Sequence, residues 1–209
     1  MDLGSERFSL IYPFDRLRAL AALAGVILPG MRVIGGEFRS RRLKTLSGNA
    51  LRPTPDRMRE TLFDVLATRI PGAVFLDAYA GTGAVGIEAL SRGAARAIFL
   101  EKHRPAVELI RENLAALGVE SRAEVVAGPA LASLALYPAG IVFLDPPYDL
   151  ETEYTAALEK LGRKPPPLAI AQHSVRQPLA DGYGKLRRTR SIRQGDNVLS
   201  FYQELDPVA

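Results

Sequence analysis

Asp145-Pro146-Pro147-Tyr148 brings together a carboxylate, two backbone positions without a donor and an aromatic ring. It follows the apolar run Gly140-Ile141-Val142-Phe143-Leu144, which reads as a buried strand. Such a strand delivers the four residues to the carboxyl edge of a sheet, where open α/β sheets bind ligands. Proline fixes φ and has no N–H, so the stretch cannot settle into helix or strand. Its carbonyls and the Asp145 carboxylate then point outward as acceptors beside the flat face of Tyr148. Acceptors next to an aromatic plate suit an exocyclic amino group on a stacked base, the arrangement needed to alkylate that nitrogen. Asp145, Pro146, Pro147 and Tyr148 are the candidate catalytic residues.

A second constellation, Asp77-Ala78-Tyr79-Ala80-Gly81-Thr82-Gly83-Ala84-Val85-Gly86, lies between a predicted strand and the helix after it. Gly81 and Gly83 permit a tight turn and close approach of a ligand, and the helix start offers free N–H groups to polar ligand atoms. The Gly81-x-Gly83-x-x-Gly86 spacing satisfies a dinucleotide fingerprint, which is weak when alone. Glu101 ends the next strand, where a carboxylate can accept ribose hydroxyls. Together these residues point to a ligand containing adenosine. No Gly-x-x-x-x-Gly-Lys-[Ser/Thr] occurs, which disfavours a P-loop nucleotidase. With no Cys and only His103 and His173, disulfides and thiolate zinc sites are excluded and a histidine-rich metal centre is disfavoured. His173 reads as a satisfied histidine at a strand end.

These residues need a scaffold, and 209 residues suffice for one α/β domain with a small appendage. From residue 73 onward, strands Ala73–Asp77, Ala97–Glu101, Arg122–Ala127, Ile141–Asp145 and Leu168–Gln172 alternate with helices Ala84–Arg92, Arg104–Leu117 and Glu151–Leu161. Segments 185–193 and 197–204 close the chain as an antiparallel hairpin around Gln194-Gly195-Asp196. That alternation predicts a mostly parallel, Rossmann-like sheet with helices on both faces. Residues 31–46 read as a basic β-hairpin around Arg39-Ser40-Arg41. A helix follows, with Thr54 as N-cap and Pro55 at its first position, ending at Pro71-Gly72. The chain therefore divides into 31–72 (hairpin and helix) and 73–209 (ligand-binding domain). Residues 1–30 read as an extension, disordered or created by a misplaced start codon.

Net charge is +4, from 27 basic and 23 acidic residues. Residues 31–69 hold nine Lys/Arg against four Asp/Glu, and a second cluster comprises Lys185, Arg187, Arg188, Arg190 and Arg193. Basic patches flanking a near-neutral core suit a polyanion. Arg32, Arg39, Arg41, Arg42, Lys44, Arg52, Thr54, Arg57 and Arg59 are the candidate contacts. No segment approaches the roughly 20 apolar residues that span a bilayer. No cleavable leader is recognisable, and a cytoplasmic location is expected.

The chain resembles the bacterial RsmD family, class I S-adenosylmethionine-dependent enzymes that methylate N2 of a guanine in 16S ribosomal RNA of the small subunit. The marks are Met31-Arg-Val-Ile-Gly-Gly36, Leu51-Arg-Pro-Thr-Pro-Asp-Arg-Met-Arg-Glu60, Leu76-Asp-Ala-Tyr-Ala-Gly-Thr-Gly83, Glu88-Ala-Leu-Ser-Arg-Gly-Ala94 and Phe143-Leu-Asp-Pro-Pro-Tyr148. They cover roughly residues 31–205. The resemblance implies that Asp77, Gly81 and Gly83 line the methionine part of S-adenosylmethionine and that Glu101 holds its ribose. Tyr79, Ala80, Thr82, Lys102, Pro129 and Ala130 complete the cofactor set. It implies that Asp145 and the Pro146 carbonyl accept the N–H bonds of the target amine while Tyr148 stacks on the base. It further implies 16S ribosomal RNA or an assembling small subunit as partner, no metal, and a monomer.

Two positions depart from the family pattern. Gly128-Pro129-Ala130 puts proline where an adenine-binding Asp or Asn usually stands, so weaker cofactor binding is expected, or an adenine held by a neighbouring carbonyl. Gln172 replaces an acid before His173-Ser174. The sequence leaves open an adenine-N6 methyltransferase acting on DNA or RNA, a nicotinamide-dependent oxidoreductase, and a non-catalytic RNA-binding relative.

Overall fold

The computed structural model describes residues 31–45, 56–147 and 151–205. Tyr148, Arg52, Thr54, Pro55 and residues 1–30 lie outside them. Eight strands form one sheet: β1 (Val74–Asp77), β2 (Arg96–Glu101), β3 (Ala123–Ala127), β4 (Ile141–Leu144), β5 (Leu168–Ser174), β6 (Gly182–Tyr183), β7 (Leu186–Gln194) and β8 (Asn197–Glu204), in the order β3-β2-β1-β4-β5-β8-β7-β6. The first five run parallel and the last three antiparallel. The strand order reverses between β1 and β4, and at such a switch point a crevice opens at the carboxyl ends. β6 pairs only with Leu186 and Arg187. Beyond an irregularity between Arg188 and Arg190, β7 forms an outer edge.

The parallel strands are short and almost wholly buried, as expected for a sheet covered on both faces. On one face α1 (Asp56–Val65), α2 (Ala84–Ser91) and α3 (Arg104–Leu117) cover Phe75, Phe99, Phe143, Ile170 and Phe201. On the other, α4 (Ala130–Ser133) and α5 (Glu151–Arg163) cover Leu76, Leu100, Val142, Leu144, Ala171 and Tyr202. Helix α3 has the expected bounds: Pro105 starts it, Val107, Ile110 and Leu114 face the core, and Gly118 leaves it at φ 70°. Helix α1 ends at Val65, ahead of the predicted Pro71-Gly72 stop. The bridging residues form turns with Leu66 and Ile70 buried.

The predicted basic hairpin is reduced to one antiparallel bridge, Arg32 to Arg42, closed by turns over residues 35–40. It holds because α2 grips it. Glu88, fully buried, accepts the Ile34 and Gly35 N–H groups, both at 2.8 Å, while Arg92 Nε donates to Glu88 at 2.8 Å. Ser91 Oγ accepts from Phe38 N and donates to Gly35 O. Gly36 has φ 75°, and a Cβ there would fall 1.9 Å from the Ser91 carbonyl oxygen, so only glycine fits. Asn113 of α3 completes the joint by bonding the backbone N and O of Lys44. The Glu88–Ala94 motif thus builds the fold.

Candidate active site

Three acids converge at the carboxyl edge. Asp77 ends β1, Glu101 ends β2, and Asp145 follows β4. Each continues the alternation of a buried aromatic (Phe75, Phe99, Phe143) that packs against the face carrying α1, α2 and α3. Asp77 pairs in register with Phe143, and Ala78 N donates to the Phe143 carbonyl. The Asp-Pro-Pro segment therefore leaves the sheet directly beside the glycine turn.

Asp77 is fully buried, and its Oδ2 accepts the Gly86 N–H at 3.0 Å. Burial pushes its pKa up to about 7; the Gly86 bond pulls it back, and the negative charges of Asp145 and Glu101 push it up further. Asp145 and Glu101 thus lie close enough to Asp77 for their charges to act on it. Glu101 accepts Gly81 N through Oε2 (2.8 Å) and His103 N through Oε1 (2.7 Å). A carboxylate has about four acceptor sites, so both oxygens keep capacity for a diol. Among the described residues no Lys or Arg pairs with Asp77 or Glu101. Negative potential lacking a counter-ion fits a cationic ligand, and S-adenosylmethionine carries a sulfonium and an ammonium.

The loop itself has the expected geometry. Gly81 has φ 53° and Gly83 φ 77°, the left-handed region that favours glycine, and Gly83 precedes α2. A Cβ on Gly86 would meet the Phe99 ring at 2.3 Å, so the third glycine serves helix–strand packing. Thr82 is buried beside Met31, and Ala80 N donates to the Leu100 carbonyl. Tyr79, half-buried, donates to Glu153 Oε2 at 2.7 Å. Burial first, and then this bond, raise its pKa. The bond ties the glycine turn to the first turn of α5. Lys102 is exposed. Pro129 caps α4, and Ala130 is buried beneath it. Gly128 N bonds the Glu101 carbonyl, placing Pro129 beside the candidate ribose acid.

Pro146 is buried and Pro147 exposed. Tyr154 donates to the Gln172 carbonyl at 2.7 Å, with the Pro146 carbonyl farther off at 3.4 Å. Gln172 Nε2 donates to Asp145 Oδ2 at 3.2 Å. His173 is a satisfied histidine: its ring nitrogens meet the Ser174 carbonyl and Ser200 Oγ, and burial lowers its pKa.

The basic candidates separate. Arg59 cannot meet a phosphate, because its side chain is wholly buried and donates to the Arg32 carbonyl and to Asp56. Burial lowers its pKa, opposed by Asp56 and Glu88. Its position was legible, since 59 shares the helical stripe of Met58, Leu62 and Phe63. Arg32 and Arg57 are exposed near the start of α1, where Met31 reaches Thr82 of the glycine loop. Arg39, Arg41, Arg42 and Lys44 are exposed, but Arg41 donates to the Ala116 carbonyl and Lys44 pairs with Glu112, both on the last turns of α3. Glu37 pairs with Arg122, just before β3. The hairpin turn therefore lies toward the amino edge, roughly 18 Å below the rim, from the helical rise between Arg104 and Ala116. Two further exposed arginines reach the rim: Arg176, which the sequence reading did not single out, and Arg193, a member of the second basic cluster. Arg176 follows β5, and Arg193 precedes a turn whose Asp196 carbonyl accepts Val175 N. Only the strand pairing brings them to the carboxyl edge.

This strand order, with a glycine turn after β1 and carboxylates closing β1 and β2, is the Rossmann-like α/β fold of class I methyltransferases. The solved structure of yhhF, a candidate methyltransferase from Escherichia coli, matches with a TM-score of 0.72 at 35% identity, over 83% of this chain and 97% of that one. The family model described as conserved hypothetical protein 95 matches residues 31–203, and the chain belongs to that family. Its relatives include the candidate rRNA methyltransferase YlbH of Bacillus subtilis, 33% identical over 182 residues, covering 83% of this chain and 99% of that protein. Another is ribosomal RNA small subunit methyltransferase D of Escherichia coli, 47% identical over 120 residues, or 56% of this chain and 60% of that protein. Among the described residues no helix is long and apolar enough to cross a membrane, and no group of His, Cys, Asp and Glu could hold a metal ion.

Proposed function

We propose that the protein methylates N2 of a guanine in 16S ribosomal RNA, using S-adenosylmethionine and acting as a cytoplasmic monomer on RNA or an assembling small subunit. The observation that carries the reading is the meeting of Asp145 with Asp77 and Glu101 at the switch between β1 and β4. The relatives' names supply the substrate class, and the proline-bounded acceptors supply the reason for an exocyclic amine.

When bound, the cofactor supplies a methyl group on a sulfonium. Asp77 and the Gly81–Gly83 turn hold its methionine part and Glu101 its ribose, with Pro129 offering an apolar wall for the adenine. Asp145 and the Pro146 carbonyl accept the two N–H bonds of the target amine. That amine's lone pair is delocalised into the base; hydrogen bonds to both protons favour a tetrahedral nitrogen and the positive charge developing on it. Tyr148 stacks on the base, an interaction worth about 1–3 kcal/mol. Positioning provides much of the rate. A base inside a duplex is out of reach, so the target is unpaired or flipped. Arg32, Arg57, Arg176 and Arg193 form the near phosphate contacts. The nicotinamide alternative leaves Asp145 without a part.

The test is transfer of labelled methyl to small-subunit particles lacking the modification, followed by nucleoside analysis. N2-methylguanosine is expected from the wild type, and Asp145→Ala should lower kcat on the order of 10²–10³-fold, as for other charge-stabilising contacts. N6-methyladenosine as the product, or near-normal turnover by Asp145→Ala, overturns the reading.

A further inference from the structure

Gln172 is buried at 2% exposure, and its two amide ends fare differently. Nε2 donates to Asp145 Oδ2 at 3.2 Å, whereas Oε1 is buried without a partner. Gln172 follows Leu168 and Ile170 onto the face where Asp145 follows Ile141 and Phe143. The side chains are thus neighbours on adjacent strands. The opposite amide orientation would set Oε1 against the carboxylate, two acceptors with no proton between them. Leaving a buried acceptor unpaired is unfavourable, so a residue that accepts this penalty is held there by its other end.

The surrounding charge explains why that end is a neutral donor. Asp145 and Glu101 both bear on Asp77, so this corner already gathers three acids. Three nearby side chains have contacts of their own. Tyr154 of α5 donates to the Gln172 backbone, His173 points to Ser200 on the opposite face, and Arg59 of α1 is tied to Arg32 and Asp56. A lysine at position 172 would neutralise the acceptor, and the acid that the family pattern places there could donate only while it keeps a proton. An amide orients Asp145 without changing its charge.

We propose that Gln172 is a positioning residue for the methyl-accepting amine: its amide holds the Asp145 carboxylate in the orientation in which it meets the base. This rests on the methyltransferase reading above. The experiment measures kcat and KM from pH 6 to 9.5 for the wild type, Gln172→Leu and Gln172→Glu, with melting temperature and S-adenosylhomocysteine affinity as parallel readouts. Gln172→Leu should lose about tenfold in kcat, the equivalent of one hydrogen bond, with KM and S-adenosylhomocysteine affinity within about twofold and a pH profile parallel to the wild type. Gln172→Glu should behave differently. At low pH the acid pair keeps one proton, and the introduced carboxyl still donates to Asp145. As pH rises the second carboxyl ionises, because two adjacent carboxylates titrate apart. Its activity should therefore show an alkaline fall that the other two proteins lack.

Variants that lower only the melting temperature, with unchanged kcat and parallel pH profiles, overturn the positioning role while leaving the methyltransferase reading standing. A wild type that transfers no methyl group overturns both. Should Gln172→Glu fail to fold, the split between kcat and KM in Gln172→Leu still decides.

Discussion

Glu88 and Glu101 are both buried acids that accept two backbone N–H bonds, yet one builds the fold and the other shapes the site. Glu88 holds Ile34 and Gly35 and is neutralised by Arg92, which also lies over the Phe63 ring. Glu101 holds Gly81 and His103 beside Asp77, with no basic partner among the described residues. Burial and hydrogen bonding are alike in the two; the counter-ion differs. Where it is present, the acid is a joint between segments. Where it is missing among the described residues, the acid's charge is left for a ligand to balance under the proposed function.

The strongest way to break this contrast is to remove each acid in turn. Glu88→Ala strands two N–H groups and Arg92 and should lower unfolding free energy by about 3–5 kcal/mol, measured by urea denaturation. Glu101→Ala should be milder in stability but weaken S-adenosylhomocysteine about 10- to 100-fold in calorimetry, the range for hydrogen bonds to a charged group. Equal stability losses with unchanged ligand affinity would erase the distinction.

Asp77 sharpens it further. Its folded-state pKa of about 7 lies above the ordinary 3.8, so the folded chain favours the protonated acid. That contribution is full below about pH 4 and is lost as pH rises through 7. Asp77→Asn should flatten stability against pH across this window, and an unchanged slope in denaturation at a series of pH values would refute the assignment. The smallest effect concerns the hairpin. Because its turn sits at the amino edge, replacing Arg41 and Arg42 with Ala should reduce the salt slope of RNA binding by no more than about 0.7–0.9 per lost phosphate contact. Full loss of binding in that variant would place the RNA across the hairpin instead of the rim.

The parallel strands and α3 were legible because their signals are local: unbroken apolar runs, a proline at the helix start and a glycine past its end. The glycine loop and Glu101 followed from the same logic. Less legible were features set by tertiary contact. Strand β6 has two residues, too few for any periodicity, and α1 stops early while turns still bury Leu66 and Ile70. Arg59 misleads any reading that weighs charge above helical position. Gln172 stood out in the sequence only as an amide where the family pattern has an acid; its meaning depends on Asp145 arriving from a neighbouring strand. Glu88 carried a motif whose partners, Ile34 and Gly35, lie more than fifty positions away.

The outer stretch of β7 has a consequence for behaviour in a crowded cell. An open strand invites self-association, since a neighbour's backbone can continue the ladder. Here that border carries exposed Arg190 and Arg193 and is distorted between Arg188 and Arg190. Two copies approaching edge to edge would meet like charge on an irregular rail, so repulsion opposes growth of the sheet along a border that no helix shields among the described residues.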